Sequence, residues 1–425
     1  MLLRFQFANH RSFRDPAELS FLATRLEDHD HRRMPSDSAK HGVLPVLALY
    51  GANASGKSNV LDALRRMFRH IVASHREGRP SGGVHYEPFG LPRHEAPSSF
   101  ACDVVLEGVR YHYGFTLNEH RYEEEWLHAW PSGSKQVWFD RRGADRSQWY
   151  FGPSLQGQKV RIAELTRDNS LFLAAAAQNN HPQLAPLHAW FEQAFAPSMS
   201  MPRHERLAFD DSPLFAPHNR ERLLHLLRAA DLGVVDLRVE SRRSQFESIY
   251  RREFADAADP EAERRVAELF GDADPKVLVL GHAGADGRVS WLTEDQESTG
   301  TVTLINLLHA MFTRLDAGGV VCVDELDRAL HPDLCAALLT LFTSKAGNPA
   351  GTQLLFTTHD QSLLAHLRRD EIVMVEKQPD GASVLVPLTD YAPRKRDDLQ
   401  RSFSEGRYGG VPMLGQFSLL SLAPG

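Results

Sequence analysis

The chain has 425 residues, with 48 Lys and Arg against 55 Asp and Glu, a formal net charge of −7, 42% hydrophobic and 24% charged residues. That balance excludes wholesale coating of nucleic acid, and no apolar run approaches the ~20 residues needed to cross a bilayer. The first residues lack the apolar stretch of a secretion signal, and Cys102, Cys322 and Cys335 are too few and too scattered for a disulfide framework or zinc site, so a cytoplasmic location is expected.

Residues 2–7 alternate apolar and polar side chains and predict a strand, followed by a second over 18–22. Residues 43–50 form a buried-strand run that ends in Gly51-Ala52-Asn53-Ala54-Ser55-Gly56-Lys57-Ser58: glycine, four residues, glycine, lysine, serine. Residues 58–68 then place Val60, Leu61, Leu64, Met67 and Phe68 on one helical face. Strand, glycine loop and helix in that order suit phosphate binding. Backbone amides wrap the phosphates, the helix start adds positive potential, Lys57 reaches the β and γ oxygens, and Ser58 offers a hydroxyl to Mg2+. Gly51, Asn53, Ala54, Ser55, Gly56, Lys57, Ser58 and Asn59 are therefore the expected site for a nucleoside triphosphate.

Residues 100–106, 109–117, 122–130 and 135–140 read as hairpin strands separated by Gly, Asn and Ser-Gly turns, predicting an antiparallel accessory sheet. From 169 to 195 the pattern turns helical, and amphipathic runs at 222–230 and 261–270 extend it into a mainly helical insertion. No sustained heptads occur, which excludes a long coiled-coil arm. Strand and helix alternation resumes from 276 to about 387 and ends in a polar tail with a glycine-rich stretch at 405–410. The expected fold is α/β: a core split between 1–165, with the β lobe, and 276–425, with 166–275 inserted.

The run Val320-Val321-Cys322-Val323 ends in Asp324-Glu325, placing two carboxylates where an open α/β sheet binds ligands. Asp324 suits a Mg2+ ligand, and Glu325 a base that orients and deprotonates an attacking water. A further strand at 354–357 leads into Thr358-His359-Asp360, with His359 the expected sensor of the γ-phosphate. Upstream, Glu297-Ser298-Thr299-Gly300-Thr301 opens an apolar helix, and its hydroxyls and amides suit phosphate or simply cap the helix. The patches Arg242-Arg243, Arg251-Arg252 and Arg394-Lys395-Arg396 read as solvated faces or as DNA contacts, and His29 and His31 as a solvated acidic loop.

The order of the phosphate loop, the 297–301 segment, Asp324-Glu325 with Leu330-His331-Pro332, and Thr358-His359-Asp360 resembles the ABC-type ATPases over most of the chain. Within that class the chain is similar to the stand-alone bacterial ATPases grouped with the OLD and RloA-like proteins, many of them associated with abortive infection and phage defence. Asn9-His10-Arg11-Ser12-Phe13, Ala230-Asp231-Leu232-Gly233-Val234 and Gly406-Arg407-Tyr408-Gly409-Gly410-Val411-Pro412 carry the narrower match. The resemblance implies an ABC-type P-loop core and a head-to-tail dimer in which Ser298, Thr299 and Gly300 of one subunit close over ATP on the other. The 297–301 segment departs from the transporter signature LSGGQ, so a transport role is not implied. Gln178 is the candidate for the family's Q-loop glutamine. No acidic Toprim-type domain follows residue 360, so an autonomous nuclease is not expected. The expected function is an ATPase whose nucleotide-dependent dimerisation controls a separate nuclease or toxin in antiphage defence. A repair or recombination ATPase acting on duplex DNA, and a nucleotide-sensing scaffold with little turnover, are the alternatives.

Overall fold

The computed structural model describes residues 1–28, 33–91, 96–196, 217–229, 232–241, 243, 276–284, 286–328, 330–394 and 397–408. The expectations for His29, His31, Arg242, Arg251, Arg252, the 261–270 run, Lys395, Arg396 and Gly409 to Pro412 lie outside them. Two compact units divide the chain, one of residues 1–199, 317–327 and 339–425, the other of 200–316 and 328–338.

The first unit opens with β1 (Leu2–Ala8), β2 (Ala17–Ser20), β3 (Val46–Tyr50) and the helix α1 (Lys57–Glu77). Strand β3 begins later than residue 43 because Pro45 has no amide to give a ladder; Val43 instead makes isolated bridges to Leu22 and Met34. Helix α1 runs past residue 68 because Ile71 and Ala73 continue the buried face; His75 and Arg76 complement its last turn, and Gly78 stops it. The accessory strands follow: β4 (Ser98–Leu106), β5 (Val109–Leu117), β6 (Tyr122–Trp130), β7 (Gln136–Arg142) and the short β8 (Tyr150–Phe151). They form a seven-stranded antiparallel sheet of order β2-β1-β4-β5-β6-β7-β8.

Helices α2 (Lys159–Leu165), α3 (Phe172–Gln178) and α4 (Ala185–Ala194) lead to β9 (Phe195–Ala196). Residues from 166 onward, read from sequence as the start of the insertion, instead join the core of this first unit. Phe172 stacks edge-on against Phe139 at 5.0 Å and Trp149 at 5.9 Å, and Phe191 meets Phe68 of α1 at 5.3 Å. Helix α3 has no side-chain cap of its own. Glu125, fully buried on β6, supplies one from across the core by accepting the amides of Phe172 (2.6 Å) and Leu173 (2.9 Å). Its charge is met by the equally buried Arg141 at 3.5 Å, whose guanidinium also donates to the Ser170 and Asp168 carbonyls.

In the second unit, α5 (Pro217–Ala229) precedes β10 (Val234–Ser241), β11 (Lys276–Ala283) and β12 (Val289–Thr293), an antiparallel sheet, and then α6 (Thr299–Ala317). Among the described residues of 166–275 helices α3, α4 and α5 predominate, and β10 is a strand that the helical pattern does not predict; β11 and β12 fall in the stretch where strands and helices were expected to alternate. The β10–β11 pairing joins segments more than thirty residues apart in sequence, and a local reading of periodicity does not detect such a partner.

The chain returns to the first unit with β13 (Val320–Val323); α7 (Pro332–Thr343) begins among residues of the second unit and ends in the first, and β14 (Gln353–Thr357), β15 (Ile372–Lys377), β16 (Ser383–Pro387) and α8 (Leu399–Ser404) follow in the first unit. A six-stranded sheet of order β16-β15-β3-β14-β13-β9 results; its neighbours from β15 to β9 are parallel, while β16 is antiparallel. All five residues of β3 and of β14 are buried, the near-continuous apolar pattern of strands covered on both faces.

Two predictions follow from this packing. Arg141→Met leaves Glu125 buried without its counter-ion and is expected to lower unfolding free energy by about 3–5 kcal/mol, measured by urea denaturation. His70 is buried beside the Tyr122 hydroxyl (2.8 Å), and burial, with positive neighbours adding to it, lowers its imidazole to about 3. The unfolded chain protonates this residue near pH 6.5, so its contribution is complete above that pH and is lost as pH falls towards 3. Between pH 6.5 and 5 the wild type should lose about 2 kcal/mol more than a non-titrating His70→Gln variant, in the same urea titrations.

Candidate nucleotide site

Register brings the functional segments together. Leu355 of β14 lies opposite Leu47 of β3 on one side and Cys322 of β13 on the other, so all three strands end at the same edge of the sheet. From that edge emerge the glycine loop, Asp324-Glu325 and Thr358-His359-Asp360.

The loop's shape is set by sterics. A Cβ on Gly51 would lie 2.4 Å from the Val375 carbonyl oxygen of β15. Gly56 takes φ 111°, and a Cβ there would lie 2.5 Å from the Ser383 hydroxyl and 2.7 Å from that of Ser12. Ala54 is also left-handed, at φ 60°. Lys57 is buried, and its ammonium donates to the carbonyls of Gly51 (2.8 Å) and Ala52 (3.0 Å). Burial lowers its ammonium below the ordinary lysine value, while the charges of Asp324, Glu325 and Asp327 act in the opposite sense. Ser58 is exposed at the start of α1, and Asn53 at the tip of the loop.

On the acidic side, Thr357 is the residue that sequence reasoning missed. Fully buried at the end of β14, its hydroxyl donates to Asp324 Oδ1 (2.7 Å) and accepts the Glu325 amide (2.6 Å). Glu325 is held at φ 53°, a left-handed conformation that costs a non-glycine residue about 1–3 kcal/mol. A polar residue closing the apolar run Leu354-Leu355-Phe356 was the available signal. His359 is exposed beside this pair, and its amide faces the Asp327 carboxylate at 3.3 and 3.4 Å. Tyr50, the last residue of β3, donates its hydroxyl to the Asp360 carbonyl (3.0 Å).

Ser298, Thr299 and Gly300 lie in the second unit, at the start of α6. The Ser298 hydroxyl accepts the Thr301 amide (3.1 Å) and caps the helix; Ser298 and Gly300 are exposed. Gln178 is the exposed last residue of α3, and nothing among the described residues joins it to the phosphate loop.

The segment Asn9 to Phe13 docks on α1. Arg11 pairs with Asp62 (3.1 Å) and Glu87 (2.8 Å), and His10 with Asp62 (3.0 Å). His10, Asp62 and Glu87 converge closely enough to hold a cation, but Arg65 and Arg66 also pair with Asp62. Burial pushes the Asp62 carboxyl up, and the bonds from His10 and Arg65 with the charge of Arg11 outweigh it, leaving the carboxyl well below its usual range. The guanidinium groups of Arg11, Arg65 and Arg66 balance the carboxylates of this cluster.

The loop fits a phosphate chain on several counts. Helix α1 starts at Gly56 without a side-chain cap, so its first amides remain for a ligand. The Ser55 hydroxyl is buried in the loop with no hydrogen-bond partner among the described residues. Ser58 and Asp324 supply the hard oxygen donors that Mg2+ takes.

Fold and loop together define a P-loop nucleotide-binding core. The chain belongs to the family of AAA domains described as "putative AbiEii toxin, Type IV TA system", whose profile matches residues 46–365. Families of this kind generally bind and hydrolyse ATP, typically with Mg2+. Among solved structures the chain is similar to an Smc head bound to the C-winged helix domain of ScpA, at 14% identity, 91% coverage of this chain, 96% of that chain and a TM-score of 0.40. It is also similar to an Smc head domain with an extended coiled coil bound to the C-terminal domain of ScpA, derived from Pyrococcus furiosus, at 15% identity, 91% and 95% coverage and a TM-score of 0.37. No curated protein matches it in sequence. No helix among the described residues is long and apolar enough to cross a membrane.

Thr357→Val keeps the side-chain shape and removes the hydroxyl from between Asp324 and the Glu325 amide. Phosphate-release assays with Mg2+ and ATP are expected to show turnover reduced about ten- to a hundredfold, the effect of losing both buried hydrogen bonds of that hydroxyl, with Thr357→Ser near wild type.

Proposed function

We propose that the protein is an ABC-type ATPase of the OLD and RloA-like kind, whose nucleotide-dependent dimerisation controls a separate nuclease or toxin in antiphage defence. The observation that carries the ATPase reading is the convergence of Lys57, Asp324, Thr357 and Glu325 at the aligned ends of β3, β14 and β13.

In this reading ATP is the substrate, and its phosphates lie against the amides of residues 51–58. Lys57 exchanges the Gly51 and Ala52 carbonyls for phosphate oxygens, so its charge moves only a short distance from a position already formed. Ser58 and Asp324 would hold Mg2+, which supplies positive charge to the phosphate oxygens. Glu325, its backbone held by Thr357, orients water and takes its proton, and His359 senses the γ-phosphate from the neighbouring strand end.

The exposed, Ser298-capped start of α6 supports a role for Ser298, Thr299 and Gly300 in closing over ATP on a second subunit; at Gly300 the nearest atom to an added Cβ would be 3.7 Å away. Closure of two such subunits would couple phosphate contacts to movement of the inserted unit and thereby present or hide an effector surface. The toxin and toxin–antitoxin wording of the family description supports the defence setting.

The test is ATP binding, hydrolysis and particle mass for wild type, Lys57→Ala and Glu325→Gln, with and without duplex DNA. Lys57→Ala should abolish binding, whereas Glu325→Gln should bind ATP, lose at least about a hundredfold in turnover as expected for a general base, and accumulate as an ATP-bound dimer. Unimpaired hydrolysis in both variants refutes the assignment. Turnover stimulated by DNA in a salt-sensitive manner would replace the effector reading with action on duplex DNA, and ATP that stays bound without turnover in the wild type would replace it with a sensing scaffold.

A further inference from the structure

Outside the groups that face the nucleotide, a chain of hydroxyls holds the back of the phosphate loop. The Ser383 hydroxyl, at the start of β16, lies 2.6 Å from the Ser55 carbonyl oxygen and 2.8 Å from the Ser12 hydroxyl. The Asn59 side-chain amide, in the first turn of α1, donates to the Ser12 hydroxyl at 2.8 Å. The Ser383 backbone amide donates to the Ser12 carbonyl (2.7 Å), so the two serines are also fixed to each other through the main chain.

A serine hydroxyl carries one proton. If Ser383 gives its proton to the Ser55 carbonyl, the bond between the serines must take its proton from Ser12, which in turn accepts from Asn59. The relay then runs in one direction, Asn59 to Ser12 to Ser383 to Ser55, and each bond polarises the next. The amide plane fixes the consequence. The carbonyl of Ser55 and the N–H of Gly56 belong to one planar trans peptide and point in opposite directions. Holding the carbonyl against β16 turns the Gly56 N–H towards the other side of the loop, the side on which loops of this pattern bind phosphate. The same two hydroxyls leave no room for a Cβ at residue 56, so glycine there is required by the relay as well as by its φ of 111°.

We infer that Ser12 and Ser383 are positioning residues of the nucleotide site, holding the 55–56 peptide in its phosphate-binding orientation before ATP arrives. This rests on the reading of residues 51–58 as the ATP site. A loop held in its bound shape costs less to order on binding, so the relay acts on affinity. Because the loop contacts phosphate equally before and during reaction, its loss raises KM and leaves kcat nearly unchanged.

The experiment measures ATP affinity by calorimetry, and kcat and KM by phosphate release, for Ser12→Ala, Ser383→Ala, the double variant, Ser12→Thr and Lys57→Ala, with thermal unfolding of each nucleotide-free protein. Each alanine variant should weaken ATP binding about three- to tenfold, the range of one lost hydrogen bond. The double variant should be little worse than either single one because one relay is broken once. Ser12→Thr, which retains the hydroxyl on a half-buried side chain, should restore affinity. ATP affinity unchanged within twofold in both alanine variants, or a loss that Ser12→Thr does not restore, overturns the inference. Lys57→Ala separates the two readings: if it abolishes binding while the serine variants bind normally, only the positioning role fails, and if it binds normally, the ATP site itself is misplaced.

Discussion

Everything functional in the first unit depends on β14 lying between β3 and β13 as a parallel neighbour of both. Five residues long and buried throughout, it sets the register that puts the glycine loop and the acidic pair at one edge of the sheet. Its two ends carry polar residues with opposite tasks. At the start, the buried Gln353 side chain imitates a backbone partner, accepting the Leu2 amide and donating to the Leu2 carbonyl, both at 2.7 Å, and so joins the antiparallel sheet to the parallel one. At the end, Thr357 ties the carboxylate of Asp324 to the backbone of Glu325. A slip of one residue would exchange the faces of the strand and separate both sets of partners.

The site is built by placing charge where burial raises its cost. Lys57 is buried in the field of three carboxylates, and two of its three donors are taken by the carbonyls of its own loop. The left-handed residues Ala54, Gly56 and Glu325 concentrate backbone strain at the same edge, with Gly56 backed by serine hydroxyls and Glu325 by a threonine hydroxyl. Surrounding contacts that over-determine a strained backbone allow it to persist. Charge is treated differently one turn along α1, where Asp62 is surrounded by guanidinium groups and His10. That cluster secures the Asn9 to Phe13 segment to the helix, and Ser12 of the same segment reaches the phosphate loop.

The accessory sheet follows a parallel logic. Glu125 and Arg141 are both fully buried, and neither is tolerable without the other. Together they cap α3 and bind the 168–170 turn to the sheet, which accounts for helices read as an insertion belonging to the first unit instead.

By itself the sequence determined the strand, glycine loop and helix of the phosphate site, the acidic pair after a buried strand, and the antiparallel hairpins; β5 and β6 have the bounds their periodicity predicts. These features are local: glycine punctuation, side-chain alternation and residue type suffice to specify them. Only the tertiary structure decided what depends on partners distant in sequence. Strand β10 stands in a stretch read as mainly helical because it is completed by β11, more than thirty positions away. Thr357 acquires its role through Asp324, thirty-three residues earlier, and Ser383 through Ser55, more than three hundred residues earlier. A threonine or serine in isolation carries no mark of such a bond. Its chemistry is set by the acceptor that strand register places opposite it.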